Sequence, residues 1–213
     1  MVMKTDLNSS ERRLLRRLST PAKIQDFLDA LPQNHEPDGD SCFSPRLVLR
    51  HGVAHCMEGA MLAAAALRLA GDKPLILDLT STNDDQDHVV ALFRRHGHWG
   101  AISKTNHAVL RYREPVYRTV RELAMSYFHE YFLQSNGKKT LRSFSRPVDL
   151  SRFDDRDWMT SEDPVWFVPE YLCDVAHTSI LSRGQIASLR PADTVERRAG
   201  EIVQWTRLSS ATT

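Results

Sequence analysis

The run Met61-Leu62-Ala63-Ala64-Ala65-Ala66-Leu67-Arg68-Leu69-Ala70 constrains this chain more than any other stretch. It is built from the strongest helix formers, carries one charge, and is followed by Gly71, the residue that best tolerates a left-handed C-terminal cap. A helix apolar on every side must be buried. The fold therefore has to be wrapped around it. His55-Cys56-Met57-Glu58-Gly59 leads into the run and puts Cys56 in the first turn. Unpaired amide groups and the positive dipole end gather there, and both favour a thiolate over a thiol. A free cysteine is also ordinary core material, so the role of Cys56 depends on what else the chain brings to it.

At 213 residues the chain can bury a core without staples. Its formal charge of +1 offers no bulk attraction to nucleic acid or an anionic membrane. No apolar run approaches the roughly 20 residues that span a bilayer, and Met1 to Leu7 lacks the apolar core of a signal peptide. These features predict a cytoplasmic protein with no nucleic-acid and no membrane partner. Cys42, Cys56 and Cys173 are odd in number and unpaired in spacing, which argues against a disulfide framework and a CxxC zinc pattern. His51 and His55 have i, i+4 spacing, but Gly52 lies between them and no Glu stands as in His-Glu-x-x-His. Neither a metal nor a cofactor is expected.

Taken in order, residues 9 to 18 read as a capped basic amphipathic helix with a solvated face, and Thr20-Pro21 opens a second helix with Ile24, Phe27, Leu28 and Leu31 on one side. A polar loop, Pro32 to Asp40, and a short helix, Arg46 to Arg50, deliver the chain to Cys56. Beyond Gly71 the pattern becomes extended. Lys73 to Thr80 and Asp87 to Phe93 read as strands, the second apolar on both faces with His88 at its entrance. His96-Gly97 is a turn and His98 to Ser103 the return strand. Ala108 to Tyr112 reads as a further strand closed by Pro115, and Val116 to Leu133 as one long amphipathic helix with a core-facing aromatic stripe. Residues 134 to 164 read as a surface excursion, and Val175 to Trp205 as mostly helical. No linker cuts the chain, so one domain is expected, with a core over 20 to 133 and an irregular, helical extension over 134 to 213.

The approach from Ser44 to Ala60, the helix end Leu67-Arg68-Leu69-Ala70-Gly71 and the strand Asp87 to Phe93 follow one another in an order that resembles the transglutaminase-like superfamily, a branch of the papain-like cysteine-protease architecture. The resemblance covers roughly residues 20 to 110. It implies an α+β fold in which a central Cys-bearing helix packs on an antiparallel sheet, and a Cys on that helix meets a His and an Asp or Asn on following strands. Cys56 and His88, 32 residues apart, match the first two. Two departures stand out: His55 directly precedes the cysteine, and no Asp or Asn follows Trp99 at the usual place. Counting from Trp99 lands on Ser103; a two-residue hairpin turn sets Thr105 opposite His88, and one extra loop residue moves the partner to Asn106. Asn106 is preferred, because its amide oxygen can accept the far imidazole proton.

The function so implied is a cysteine hydrolase acting on a peptide, protein or other amide substrate through a thioester, with water or an amine completing the reaction. Cys56 would be the nucleophile, His88 the base and Asn106 or Ser103 the orienter; Gln33 could add a second oxyanion donor. A catalytically silent binding or scaffold domain of the same fold is the alternative. His177 and Trp166 are noted in the extension without a role.

Overall fold

The computed structural model describes residues 6–37 and 39–206, so most of the reading of Met1 to Leu7 lies outside the described residues. Four helices come first: α1 (Ser9–Arg17), α2 (Pro21–Ala30), α3 (Pro45–His51) and α4 (Cys56–Leu69). Strands β1 (Leu75–Thr80), β2 (His88–Arg95), β3 (His98–Ile102) and β4 (Arg113–Tyr117) follow, then α5 (Val120–Ser126). The remainder supplies β5 (Ser143–Ser145), β6 (Val148–Asp149), α6 (Phe167–Asp174), β7 (His177–Ser179), α7 (Arg183–Ala187) and α8 (Thr194–Gly200). The class is α+β, with one antiparallel sheet of seven strands in the order β4-β3-β2-β1-β5-β7 and β6 on β1. No helix among the described residues is long and apolar enough to cross a membrane.

The alanine-rich run is the floor of this arrangement. Every residue from Ala60 to Leu67 is fully buried, packed with Val89, Ala91 and Phe93 of β2 in the core shared with α1, α2 and α3. Gly71 adopts φ +95°, and the Asp72 and Gly71 amides donate to the Leu67 and Arg68 carbonyls at 2.9 and 3.1 Å, closing the helix end. Alternate residues of β2, Val90 and Leu92, enter a second core on the opposite face of the sheet with Leu123, Ala124 and Tyr127. That two-sided burial is why the strand carries no polar alternation. At the hairpin, His96 and Gly97 have φ 51° and 81°, and Arg95 pairs with His98. Two left-handed residues match the twist of the flanking strands.

Four expectations are corrected. The tail from Val175 to Trp205 is not mostly helical, since it holds strand β7 and only the short helices α7 and α8. The strand expected over Ala108 to Tyr112 forms over Arg113–Tyr117 instead, and Pro115 sits inside it, tolerated because β4 is a sheet edge. The long helix from Val116 to Leu133 is broken: Tyr117 pairs with Trp99, Thr119 caps α5 by accepting the Glu122 amide, and the helix gives way to a 3-10 turn over Phe128–Glu130. The aromatic stripe is nevertheless buried, at Tyr127, Phe128, Tyr131 and Phe132. Residues 134 to 164 are no surface excursion, since β5 and β6 extend the sheet from β1 and Leu141, Phe144, Val148, Leu150 and Trp158 are buried. Strands of two or three residues are too short to show a period in sequence.

Candidate active site around Cys56

Helix α4 begins in a net of polar bonds. The fully buried Glu58 carboxylate accepts from the His55 amide at 3.0 Å, the Phe43 amide at 2.9 Å, the Ser41 hydroxyl at 2.9 Å and Asn34 Nδ2 at 3.1 Å. It thereby ties the 34–43 loop to the first turn of the helix. A carboxylate is well placed there, both by the dipole and by reciprocal capping. Gly59 follows because the Lys104 stem crosses the helix at that point; a Cβ on Gly59 would lie 2.4 Å from Lys104 Cβ. Lys104 Nζ in turn donates to the Leu31 carbonyl at 2.5 Å, just past the end of α2. Burial lowers its ammonium pKa to about 8.

Cys56 is half-buried, and the His55 and His88 imidazoles both act on its thiol. Burial pushes the thiol up, but the two hydrogen bonds and the two imidazole charges outweigh it and bring it down to about 5. His55 moves the other way. Burial lowers it, yet its bonds to Cys56 and Ser41 and the Glu58 charge raise it to about 9. The ring is held from behind, with Nε2 3.1 Å from the Ser41 carbonyl, 3.4 Å from Glu58 Oε1 and 3.8 Å from Glu36 Oε1.

His88 is buried at the start of β2, and its Nε2 lies 2.8 Å from Ser103 Oγ. Ser103 has one hydroxyl proton, and its Oγ donates to the Leu110 carbonyl at 2.5 Å. A carbonyl only accepts, so the proton is spent there and Oγ must accept from His88 Nε2–H. That fixes the tautomer and leaves Nδ1 for the thiol. The Ser41 carbonyl imposes the same choice on His55. His55 and His88 thus each have Nδ1 free to share a proton with the Cys56 sulfur, a pairing that leaves positive charge on the imidazoles. Buried Glu58 balances the resulting charge.

Ser103 itself is clamped by Gln25 of α2, whose Oε1 accepts the Ser103 amide at 3.0 Å and whose Nε2 donates to the Ser103 carbonyl at 2.8 Å. The helix side chain stands in for a neighbouring strand. Of the two orienter candidates, the structure brings Ser103 to His88 and takes Asn106 elsewhere. The hairpin closes on a two-residue turn without the extra loop residue that the Asn106 count needed, β3 ends at Ile102, and Asn106 exchanges two 2.8 Å bonds with the Trp205 backbone. Gln33 lies in the same cleft, its Nε2 3.2 Å from the Asn34 carbonyl. His51 is stacked on Phe43 at 4.8 Å, and among the described residues no three His, Cys, Asp or Glu side chains converge as a metal would require.

The cleft at Cys56 has a volume of about 590 Å³; half-exposed Trp166 lines it, as do Tyr131 and Phe132 of the aromatic stripe. Asp78 of β1 escapes a reading of the sequence. Its Oδ2 is 3.0 Å from His177 Nε2, and burial raises the carboxyl to about 6 against that bond. A lone acid inside Leu75-Ile76-Leu77-Asp78-Leu79, like a lone Gln between Ile24 and Leu28, is the signal that marks such positions. Comparison with protein-family models and with curated proteins returns no match.

Proposed function

We propose that this cleft is the active site of a papain-like, transglutaminase-like cysteine hydrolase that acts on a peptide, protein or other amide substrate. One observation carries the reading: the thiol at the start of α4 is flanked by two imidazoles, and His88 is locked by Ser103 into the tautomer that a base needs. The Cys56 thiolate attacks the acyl carbon, forming the C–S bond, while the first-turn amides of α4 face the oxyanion. His88 Nδ1–H gives its proton to the leaving nitrogen, the C–N bond breaks, and an amine departs from the thioester. Water then gives a proton to Nδ1, its oxygen bonds the acyl carbon, and the C–S bond breaks to release the acid. An amine in place of water makes the same site a transferase. His55 keeps its proton throughout, holding the sulfur anionic between turnovers.

The rival reading is a silent binding domain, and one feature favours it: the group behind His88 is an uncharged hydroxyl, which stabilises an imidazolium less than a carboxylate does. The rate of Cys56 alkylation between pH 4 and 9 separates the two. Cys42, buried with its thiol pushed up to about 12, does not compete, so replacing exposed Cys173 by serine isolates the signal. A reactivity plateau reaching down toward pH 5 is expected, its acid midpoint raised in His88→Ala and the plateau lost when His55 is replaced as well. Reactivity that rises only near the ordinary thiol pKa of roughly 8.5, unchanged by the substitution, would leave the fold to binding.

A further inference from the structure

Leu110 has φ +59°, a backbone conformation that a γ-branched residue adopts only under constraint. It lies in the cleft wall, and its carbonyl is the acceptor that consumes the Ser103 proton. What imposes the conformation is visible on its other side. The Leu110 amide donates to Glu130 Oε2 at 2.6 Å, and the second oxygen of that carboxylate is held by Arg113 Nη2 at 2.6 Å. Arg113 is itself fixed, its guanidinium 4.1 Å from the centre of the Tyr127 ring and its Nε 3.0 Å from Ser126 Oγ. A continuous chain of bonds thus runs from Arg113 through Glu130, Leu110 and Ser103 to His88.

We propose that Glu130 is a positioning residue for His88: by clamping Leu110 in the left-handed conformation it aims the Leu110 carbonyl at Ser103, which turns the Ser103 lone pair toward His88 Nε2–H. The inference rests on the reading of Cys56 and His88 as the reacting pair. Without the clamp, Leu110 relaxes to negative φ, its carbonyl swings away, and the Ser103 hydroxyl proton is free to point at His88. The ring then faces a donor at Nε2 and loses the preference that left Nδ1 for the thiol. Among the described residues, the titratable and charged groups that face Glu130 are Arg113, paired with it, and the Tyr127 hydroxyl, whose ionisation its charge opposes.

A rescue experiment on the full chain tests this, read by the pH profile of Cys56 alkylation with peptide mass spectrometry locating the label. Glu130→Ala is expected to move the acid midpoint, near about 5 in the native chain, up by at least one pH unit. Glu130→Gln retains an acceptor for the Leu110 amide and is expected to keep the native profile. Glycine reaches φ near +59° without a clamp, so Leu110→Gly is expected to behave as native, and Leu110→Gly combined with Glu130→Ala to recover most of the shift. A folded Glu130→Ala with the native midpoint overturns the inference, and so does a double variant as shifted as Glu130→Ala alone, because Glu130 would then act through Arg113 only. Should Glu130→Ala fail to fold, Glu130→Asp withdraws the carboxylate from Leu110 by one methylene; a shifted midpoint supports the clamp and an unchanged one refutes it. A native chain with no low-pH plateau defeats the reading of the site itself and the inference with it, an outcome distinct from a native plateau that Glu130→Ala leaves in place.

Discussion

The protons at Cys56 and His55 depart at acidities displaced in opposite senses, and the two signs decide how the fold answers to pH. Cys56 sits at about 5 in the fold against roughly 8.5 for a free thiol, so its contribution is complete above the unfolded value and lost as pH falls through about 5. His55 sits at about 9 against roughly 6.5 unfolded, so its contribution is complete below that value and lost as pH rises through about 9. From about 6.5 to about 8.5 the slopes cancel; from about 5 to about 6.5 only the Cys56 slope acts, and stability rises with pH. The urea midpoint of the native chain, minus that of Cys56→Ala, should therefore fall as pH is lowered from 6.5 to 5. A flat difference would mean that the thiolate–imidazolium pair does not form. Ser103→Ala should slow Cys56 alkylation at pH 4, below the acid midpoint, by about tenfold, the equivalent of one hydrogen bond of roughly 1.5 kcal/mol, whereas Asn106→Ala should leave it unchanged. Equal effects would show that the two side chains matter only to the cleft wall. That Cys56 opens α4 and His88 opens β2 could be read from the sequence, because each occupies an element boundary with its own local signal. The partners of Gln25 and Glu130 could not, since they lie elsewhere in the chain; Gln25 stands out as a lone amide between Ile24 and Leu28, but Ser103 is 78 residues away.

Helix α4 and the β2–β3 hairpin are the elements whose local rules and tertiary surroundings agree, and both form where composition and turn chemistry place them. Helix α5 shows the opposite case. A periodic apolar pattern continues through Tyr127 to Phe132, but edge pairing with β3 claims the start and the 3-10 turn claims the end, which no single-element pattern reveals. The conflict is sharpest at Gly59. Alanine there would raise helix propensity by about 1 kcal/mol, yet its Cβ would meet Lys104 Cβ at 2.4 Å. Overpacking of that kind costs about 1–3 kcal/mol, so Gly59→Ala should lower the unfolding midpoint in thermal melts; a raised midpoint would show that Lys104 moves aside freely. Glu58→Ala is expected to cost about 3 kcal/mol by urea titration, because it strands several buried donors at once. A loss below about 1 kcal/mol would show that water replaces the carboxylate.

At the scale of the molecule, the extension beyond residue 133 is where the sequence says least and the structure relies most. β5, β6 and β7 cover the side of β1 that β2 leaves open, and Trp158, Val165 and Val168 complete the core beneath α4. A chain ending at Leu133 would lose that packing and present an unpaired strand edge. It is expected to show no cooperative urea transition by circular dichroism, and a sharp transition would mean that the first 133 residues hold a core of their own. The stitch between Asn106 and Trp205, backed by the pairing of His107 with Val203, spans 99 residues of chain. Synthesis proceeds from the amino end at about 5–20 residues per second. Cys56, His88 and Ser103 therefore leave the ribosome several seconds before the segment that backs this wall of their cleft, and for that interval the nascent chain carries its thiol in an unfinished pocket.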